Sequence, residues 1–231
     1  MNSNTLNKLK RTIYPRIYLY AIVLLLFAGC KLDNTVTPSP AVKATSNSYQ
    51  PVTKGSYWKY NYTQNNISDT LTLTMTGTSA LLYGETYYEG LNSFQSHKFP
   101  DATCYFSQNN HIYNKLTIAS ADTVNQYYFN DTTALNSTWM AKANNLGHIN
   151  GLEARFAGQI VEQNINLTVE GVTYTGVSHS KVYLQYSSGE GYYTYATYDY
   201  FMVKGIGIIE MFYVDTSGVN ISEGLMSYSL K

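Results

Sequence analysis

The sequence predicts one all-β domain of antiparallel strands, forming a strongly curved sheet, a half-barrel or a sandwich, after a signal peptide and a flexible tether. The 231-residue chain contains 24 tyrosines, and tyrosine suits the pleated, half-buried surface of a strand. Strand patterns recur about every eight to twelve residues, as in antiparallel folds. Few stretches show the apolar spacing of a helix. Together these observations favour an all-β domain.

Residues 1–29 have the three regions of a secretory signal peptide. Cations precede a short apolar run, and two small residues then lead to Cys30. A spanning helix needs about 20 apolar residues, so this run fits a signal peptide better than a transmembrane segment. It resembles a bacterial lipobox, although Phe27 replaces the usual leucine. The resemblance implies cleavage after Gly29 and a lipid on Cys30; an ordinary signal peptide or an uncleaved anchor are the alternatives.

The composition of the processed chain excludes nucleic-acid binding. Removal of residues 1–29 leaves 11 basic and 15 acidic residues, a net charge of about −4. Nucleic-acid binding needs clustered lysines and arginines, yet Arg155 is the one arginine left. If Cys30 carries lipid, Cys104 has no disulfide partner, and we expect it to be a small buried core residue.

The mature chain divides into a tether and a β domain. Residues 30–53 contain three prolines and many small polar residues, which predicts a disordered tether behind the lipidated cysteine. The β domain is expected to span residues 54–231.

The first half of the domain shows clear strand patterns. Gly55–Thr63 places Trp58, Tyr60 and Tyr62 on one face, and Asp69–Thr76 alternates strictly between threonine and apolar residues. Further strands are predicted at Leu81–Tyr83, Thr86–Glu89, Cys104–Ser107, His111–Ile118 and Val124–Phe129.

The second half continues in the same way after one short helix, predicted within Leu135–Asn145. Tyr192–Val203 carries aromatic residues on both faces, which favours strong curvature or a covered outer side. The predicted strands are Arg155–Glu162, Asn166–Glu170, Val177–Tyr186, Tyr192–Val203, Ile206–Val214 and Leu225–Leu230.

Two motifs carry a resemblance to a family. Gly55–Tyr60 reads G-S-Y-W-K-Y, and Tyr200–Glu210 contains K-G-I-G followed by apolar residues. The chain resembles a group of uncharacterised Bacteroidetes outer-membrane lipoproteins with a G-x-Y-W-x-Y opening and a late K-G-x-G strand pair. The resemblance implies a β fold and an envelope location, and it implies no activity.

Sequence patterns of catalysis are weak. The chain has no G-x-S-x-G elbow, S-x-x-K motif or phosphate-binding loop. His97, Cys104 and His111 are spaced seven residues apart, which places neighbours on opposite faces of any strand they share, although a turn at Asn109–Asn110 would bring Cys104 and His111 together across a hairpin. A zinc site needs three or four converging ligands, so no metal or cofactor is predicted. A glycosidase would need two carboxylates about 5–10 Å apart in a cleft. Most of the available acids are expected at outward or turn positions; these acids are Glu153, Glu162, Glu170, Glu190, Asp199 and Glu210.

Aromatic residues are the best indication of a binding site, because they stack on sugar rings or line apolar pockets. The alternative is that tyrosine fills a wide β core, which applies most to Trp58. The candidate ligand-binding residues are Trp139, Tyr192, Tyr193, Tyr195 and Tyr198.

Three short segments resemble the D-(S/T)-apolar acceptor motif of Bacteroidetes O-glycosylation. They place candidate acceptors at Thr70, Thr123 and Thr132, each directly after an aspartate. The resemblance implies that one or more of these threonines carries a glycan.

These observations predict a non-catalytic, lipid-anchored protein of the cell envelope, most consistent with the outer membrane. Its partners would be the membrane, through lipid on Cys30, and a glycan, an apolar ligand or an envelope protein. The alternatives are a surface-assembly or adhesion component, and a carboxylate-dependent envelope hydrolase.

Overall fold

The computed structural model describes residues 47–109, 111–119 and 122–231, and these residues form strands and turns without a helix. Thirteen strands follow one another along the chain: β1 Tyr57–Gln64, β2 Ile67–Leu82, β3 Glu85–Phe94, β4 Ala102–Asn109, β5 Ile112–Ala119, β6 Asp122–Asn130, β7 Thr138–Lys142, β8 His148–Ile149, β9 Leu152–Val169, β10 Val172–Ser187, β11 Tyr192–Val203, β12 Gly207–Asp215 and β13 Asn220–Ser229.

The strands form one antiparallel sheet in the order β6-β5-β4-β3-β2-β1-β13-β12-β11-β10-β9-β7, with β8 paired to β9. The sheet curls until its two ends meet. The Asn125 N–H donates to the Ala143 carbonyl at 2.7 Å, and the Ser180 hydroxyl donates to the Tyr128 carbonyl at 2.7 Å. The result is a nearly closed, barrel-like sheet, so the prediction of a strongly curved all-β domain is confirmed.

The alternation predicted for the first two strands is confirmed. On β1 the side chains of Trp58, Tyr60 and Tyr62 are buried. On β2 the apolar residues Leu71 and Leu73 are buried, and the intervening threonines are half-buried on the other face. A period of two over these residues reflects a strand with one face in the core.

Three predictions of secondary structure are wrong. Asp69–Thr76 and Leu81–Tyr83 are predicted as separate strands, yet residues Ile67–Leu82 form the single strand β2. Leu135–Asn145 contains strand β7 in place of a helix, because Trp139 pairs with Gly158 in the ladder to β9 and sheet pairing outweighs a weak local preference. Arg155–Glu162 and Asn166–Val169 belong to one 18-residue strand, β9, and Glu170 lies in the turn after it. The turn-forming residue Asn164 adopts φ 56° inside this strand.

The packed domain begins before Lys54, where the sequence placed the end of the tether. Ser48, Gln50 and Val52 are buried. The Gly205 N–H donates to the Ser48 carbonyl at 2.8 Å, and the Tyr128 hydroxyl donates to Gln50 Oε1 at 3.3 Å. This segment therefore links the β11–β12 turn to β6, and the predicted tether is shorter at its C-terminal end.

The two motifs that carried the family resemblance pack against each other. The indole Nε1 of Trp58 donates to the Ile206 carbonyl at 2.7 Å, and the Tyr60 hydroxyl donates to the Ile208 carbonyl at 2.9 Å. Gly207 has φ 109°, and a Cβ there would lie 3.6 Å from the Trp58 Nε1. Both motifs thus stabilise the barrel interior.

The tip of the long β2–β3 hairpin folds over the outer face of the sheet. Phe106 points into the interior, so Ser107 lies on the outer face of β4. The Ser107 hydroxyl donates to Glu85 Oε2 at 3.1 Å, and the hydroxyls of Tyr83 and Thr123 are 3.0 Å apart. A shift of register between Met75 and Ser79 gives the hairpin the bend it needs.

The tip of the β9–β10 hairpin covers the outer face near β1 and β13. The Asn61 Nδ2 donates to Glu170 Oε1 at 3.0 Å. A Cβ on Gly224 would lie 2.9 Å from the same Glu170 oxygen, so a side chain at this position would have to displace the carboxylate. Burial, and secondarily the charge of Glu170, raises the pKa of Glu210.

Candidate functional site

Two open grooves meet at Lys142 on the outer surface, where the edge of β6 faces the β7–β8 connection. The first groove has a volume of about 460 Å³ and is lined by Met140, Ala141, Lys142, Leu146, Gly147, His148, Glu153, Ala154, Arg155 and Tyr192. The second has a volume of about 320 Å³ and is lined by Tyr83, Glu85, Tyr87, Asn125, Lys142, Asn144 and Asn145. Pockets that bind small ligands commonly have volumes of about 300–1,000 Å³.

Asn144 holds the loop that separates the two grooves. Its Oδ1 accepts hydrogen bonds from the backbone N–H groups of Leu146, Gly147 and His148 at 3.0, 2.8 and 3.2 Å. Its Nδ2 donates to the carbonyls of Thr123 on β6 and His148. An asparagine that bonds its own following residues fixes a turn locally, and here it also ties the loop to the sheet edge.

Arg155 and Tyr192 form one wall of the first groove. The Arg155 guanidinium carbon lies 3.6 Å from the centre of the Tyr192 ring, a cation–π contact. The Arg155 Nε donates to Gln185 Oε1 at 2.9 Å, and the Tyr192 hydroxyl donates to Glu153 Oε1 at 2.5 Å. The hydrogen bond to Glu153 raises the pKa of Tyr192.

The first groove concentrates positive charge. Lys142 and Arg155 both line it, against the single carboxylate of Glu153. Among the described residues the ion pairs within 4 Å involve neither Lys142 nor Arg155. Their charges are therefore available to a ligand.

The second groove combines aromatic rings with amides. Tyr83 is 50% exposed, whereas Tyr87 is buried beneath the groove, and its burial raises its pKa to about 12. Asn145 is exposed. The buried Oδ1 of Asn125 has no hydrogen-bond partner within the described part of the chain. Rings beside planar amides are suited to sugars, which present both C–H faces and hydroxyls.

The structure brings one of the five predicted ligand-binding aromatics, Tyr192, into a groove. Tyr193 is 47% exposed and lies outside both linings. Tyr195 and Tyr198 are half-buried and pack against Tyr186 and Tyr213 with ring centres 5.4 and 4.9 Å apart. These two tyrosines fill space between aromatic neighbours, the alternative that the sequence left open.

Trp139 is a core residue. It is 9% exposed, its Nε1 donates to the Tyr127 carbonyl at 3.4 Å, and a Cβ on Gly158 would lie 2.2 Å from its ring. The indole occupies the space that the glycine leaves on the paired strand. It therefore anchors β7 and does not line a groove.

A second polar cluster lies on the outer face of β9, β10 and β11. The two ring nitrogens of His179 contact Glu162 Oε2 at 2.9 Å and Asp199 Oδ1 at 2.7 Å, and Lys181 Nζ lies 3.5 Å from Asp199. Burial acts to raise the pKa of Asp199, but the hydrogen bond from His179 and the charge of Lys181 outweigh it and lower that pKa. These contacts join three adjacent strands.

The remaining predicted residues that the structure describes are Cys104 and three threonines, and none of them lines either groove. Cys104 is buried, and burial raises its thiol pKa to about 11. Thr70 and Thr123 lie within β2 and β6, and Thr132 is exposed in the turn after β6. Cys30 and the signal peptide lie outside the described residues. No cluster of His, Cys, Asp or Glu suited to a metal occurs in residues 47–109, 111–119 and 122–231, and no helix there is long and apolar enough to cross a membrane.

Sequence reasoning missed the charged part of the site. Lys142 lay in a predicted helix, and Arg155 was noted only as the last arginine of the mature chain. Its residue type was the one available indication, because the guanidinium of arginine matches the two oxygens of a carboxylate or phosphate. The loop around Asn144 gave no indication, since its partner Thr123 is 21 residues away.

Comparisons with known proteins find similarity at the level of structure. No protein-family model matches the chain, and no curated protein matches it. A crystal structure of a "putative exported protein with YmcC-like fold" from Bacteroides fragilis has a TM-score of 0.47 and 9% identity, covering 78% of this chain and 97% of that chain. A "putative lipoprotein" from Parabacteroides distasonis has the same TM-score and identity, covering 79% and 99%. Similarity at this level does not assign the chain to a family.

Proposed function

We propose that this chain is a lipid-anchored protein of the cell envelope whose β domain binds glycans, without catalysis, in the two grooves that meet at Lys142. The observation that carries the proposal is the composition of these grooves. They place an exposed ring, an exposed amide and two cations that form no ion pair with the described residues along one continuous strip of the outer surface.

Packing of the interior favours the surface as the place of binding. Aromatic side chains of β6 and β11 contact one another there, as the Tyr128 and Tyr200 rings do at 5.3 Å between their centres. The Tyr200 hydroxyl also donates to Gln126 Oε1 on β6 at 2.9 Å. An apolar ligand inside the barrel would have to displace these contacts, whereas a glycan on the grooves displaces only water.

Envelope location and lipid attachment rest on the sequence of residues 1–30, which places a cysteine directly after an apolar run and two small residues. The expected N-terminal residue of the mature protein is Cys30. Intact mass of the membrane-extracted chain tests this: loss of residues 1–29 with added acyl mass supports the anchor. An unmodified Cys30, or an intact N-terminus, contradicts it.

Glycan binding is tested with the full-length chain in detergent against a panel of neutral and acidic hexasaccharides, using isothermal titration calorimetry. Replacement of the exposed groove ring, Tyr83→Asn, is expected to weaken binding at least about tenfold, or about 1.4 kcal/mol. Asparagine tolerates the φ of 54° at this turn position, so the variant keeps the hairpin.

The matched control is Tyr193→Ala, because Tyr193 is as exposed as Tyr83 and lies outside both grooves. Its binding is expected to equal that of the unchanged chain. Absence of binding to every glycan, or equal losses in the two variants, would overturn the proposal and leave an assembly role. Release of shorter sugars during the titration would instead indicate the hydrolase alternative.

A further inference from the structure

We infer that the first groove selects acidic glycans, with the carboxylate of a uronic acid or a similar acidic sugar bound by the outer edge of the Arg155 guanidinium. This inference rests on the proposed glycan function. It adds the charge of the ligand and the residue that recognises this charge. It comes from the way in which Arg155 is held.

Two contacts fix the plane and direction of the Arg155 guanidinium. The Tyr192 ring lies 3.6 Å from the guanidinium carbon, and the Nε donates to Gln185 Oε1 at 2.9 Å. Gln185 is held in turn by a bond from its Nε2 to Thr194 Oγ1 at 3.4 Å. Stacking on the Tyr192 ring and the hydrogen bond from Nε restrict the rotamers of the Arg155 side chain. A side chain that is ordered before the ligand binds lowers the entropic cost of binding.

The same contacts leave the two terminal nitrogens of Arg155 available. Neither has a hydrogen bond or ion pair with the described residues, since the contacts of this side chain are those to Tyr192 and Gln185. The paired N–H groups at the end of a guanidinium match the two oxygens of a carboxylate. A bidentate bond from a stacked arginine is therefore the contact that this groove can offer to an acidic sugar.

Neighbouring groups add to this preference. The one carboxylate in the lining, Glu153, accepts the Tyr192 hydroxyl through Oε1 at 2.5 Å and makes no ion pair with Arg155 within 4 Å. Lys142 brings a second positive charge, and its side chain lies against Gly147, where a Cβ would be 3.5 Å from Lys142 Cδ. The groove thus has an excess of positive charge.

The test compares hexagalacturonate with its full methyl ester, because the two differ in charge and share the sugar backbone. Both are titrated by calorimetry into the full-length chain in detergent at low and at physiological salt. We expect the acid to bind at least tenfold more tightly than the ester. Arg155→Gln should remove this difference in affinity. Arg155→Lys should keep only part of it, since lysine has the positive charge but lacks the paired N–H groups of a guanidinium.

Lys204→Gln is the matched control, because it removes one positive charge from the exposed β11–β12 turn, away from the grooves. It should leave the preference for the acid unchanged. If acid and ester bind equally and Tyr83→Asn weakens both, glycan binding stands and selection of acidic sugars is overturned. If Lys204→Gln and Arg155→Gln reduce acid binding equally, the effect is one of net charge and the role of Arg155 is overturned.

Discussion

Replacing Asn144 by alanine tests whether one side chain holds the wall between the two grooves. Asn144 is 7% exposed, and its amide bonds three backbone N–H groups and two carbonyls. A net intramolecular hydrogen bond contributes about 0.5–1.5 kcal/mol. Because the three N–H groups share one oxygen, the five contacts count as fewer than five full bonds, and we expect a loss of about 2–4 kcal/mol.

The loss should be local, because the bonds order residues 144–148 and attach them to β6. At about 1.4 kcal/mol per tenfold change, opening of this loop should become roughly 30-fold to 1,000-fold more frequent. Native-state hydrogen exchange of the Leu146, Gly147 and His148 amides measures this directly. Glycan affinity should fall in parallel, since both grooves lose a wall.

Two further variants separate the contribution of the Asn144 side chain from that of its neighbour and from that of its amide group. Asn145→Ala changes the neighbouring exposed amide, for which we expect less than about 0.5 kcal/mol. Asn144→Asp keeps the accepting oxygen and loses the two donated bonds, so its effect should be intermediate. If Asn144→Ala leaves the exchange of these three amides as slow as Asn145→Ala does, the reasoning about this loop is refuted.

Three predictions concern the core. Burial raises the pKa of Glu223, although the charge of Lys115 opposes the shift, so ionisation of Glu223 lowers the stability of the fold as the pH rises from the ordinary pKa of glutamate through the raised one. Glu223→Gln should therefore raise the melting temperature at pH 7.5 and not at pH 4. An equal gain at the two pH values would contradict this sign. Cys104, with its pKa at about 11, should resist Ellman's reagent at pH 8 until guanidinium unfolds the chain; rapid labelling of the native protein would refute its burial. Gly158→Ala should destabilise by about 3 kcal/mol or more through collision with Trp139, and adding Trp139→Leu should recover part of the loss in chemical denaturation.

The fold could be predicted where local alternation coincided with burial. β1 and β2 alternate over single-faced strands, and Tyr192–Val203 has the bounds of β11. Prediction failed where distant pairing decided the structure. β7 exists because Trp139 fits against Gly158 on β9, and no residue near 139 carries that information.

The candidate site was only partly accessible from sequence. Tyr192 was identified through its residue type, and the same argument selected Trp139, Tyr195 and Tyr198, which the structure packs among aromatic neighbours. Residue type alone cannot separate an aromatic side chain of the core from one of a binding surface, because both suit a strand. Exposure separates them, and exposure depends on which outer faces the hairpin tips cover.

The sequence by itself determined the class of the fold, because strand patterning is local and its period of two survives in any sheet. It also determined the composition of the chain, including the single arginine that follows residue 29. The tertiary structure alone decided where that arginine lies. Only closure of the sheet brings β6 against the β7–β8 loop, and only the pairing of β9 with β10 sets Arg155 beside Gln185, with Tyr192 stacked on its guanidinium.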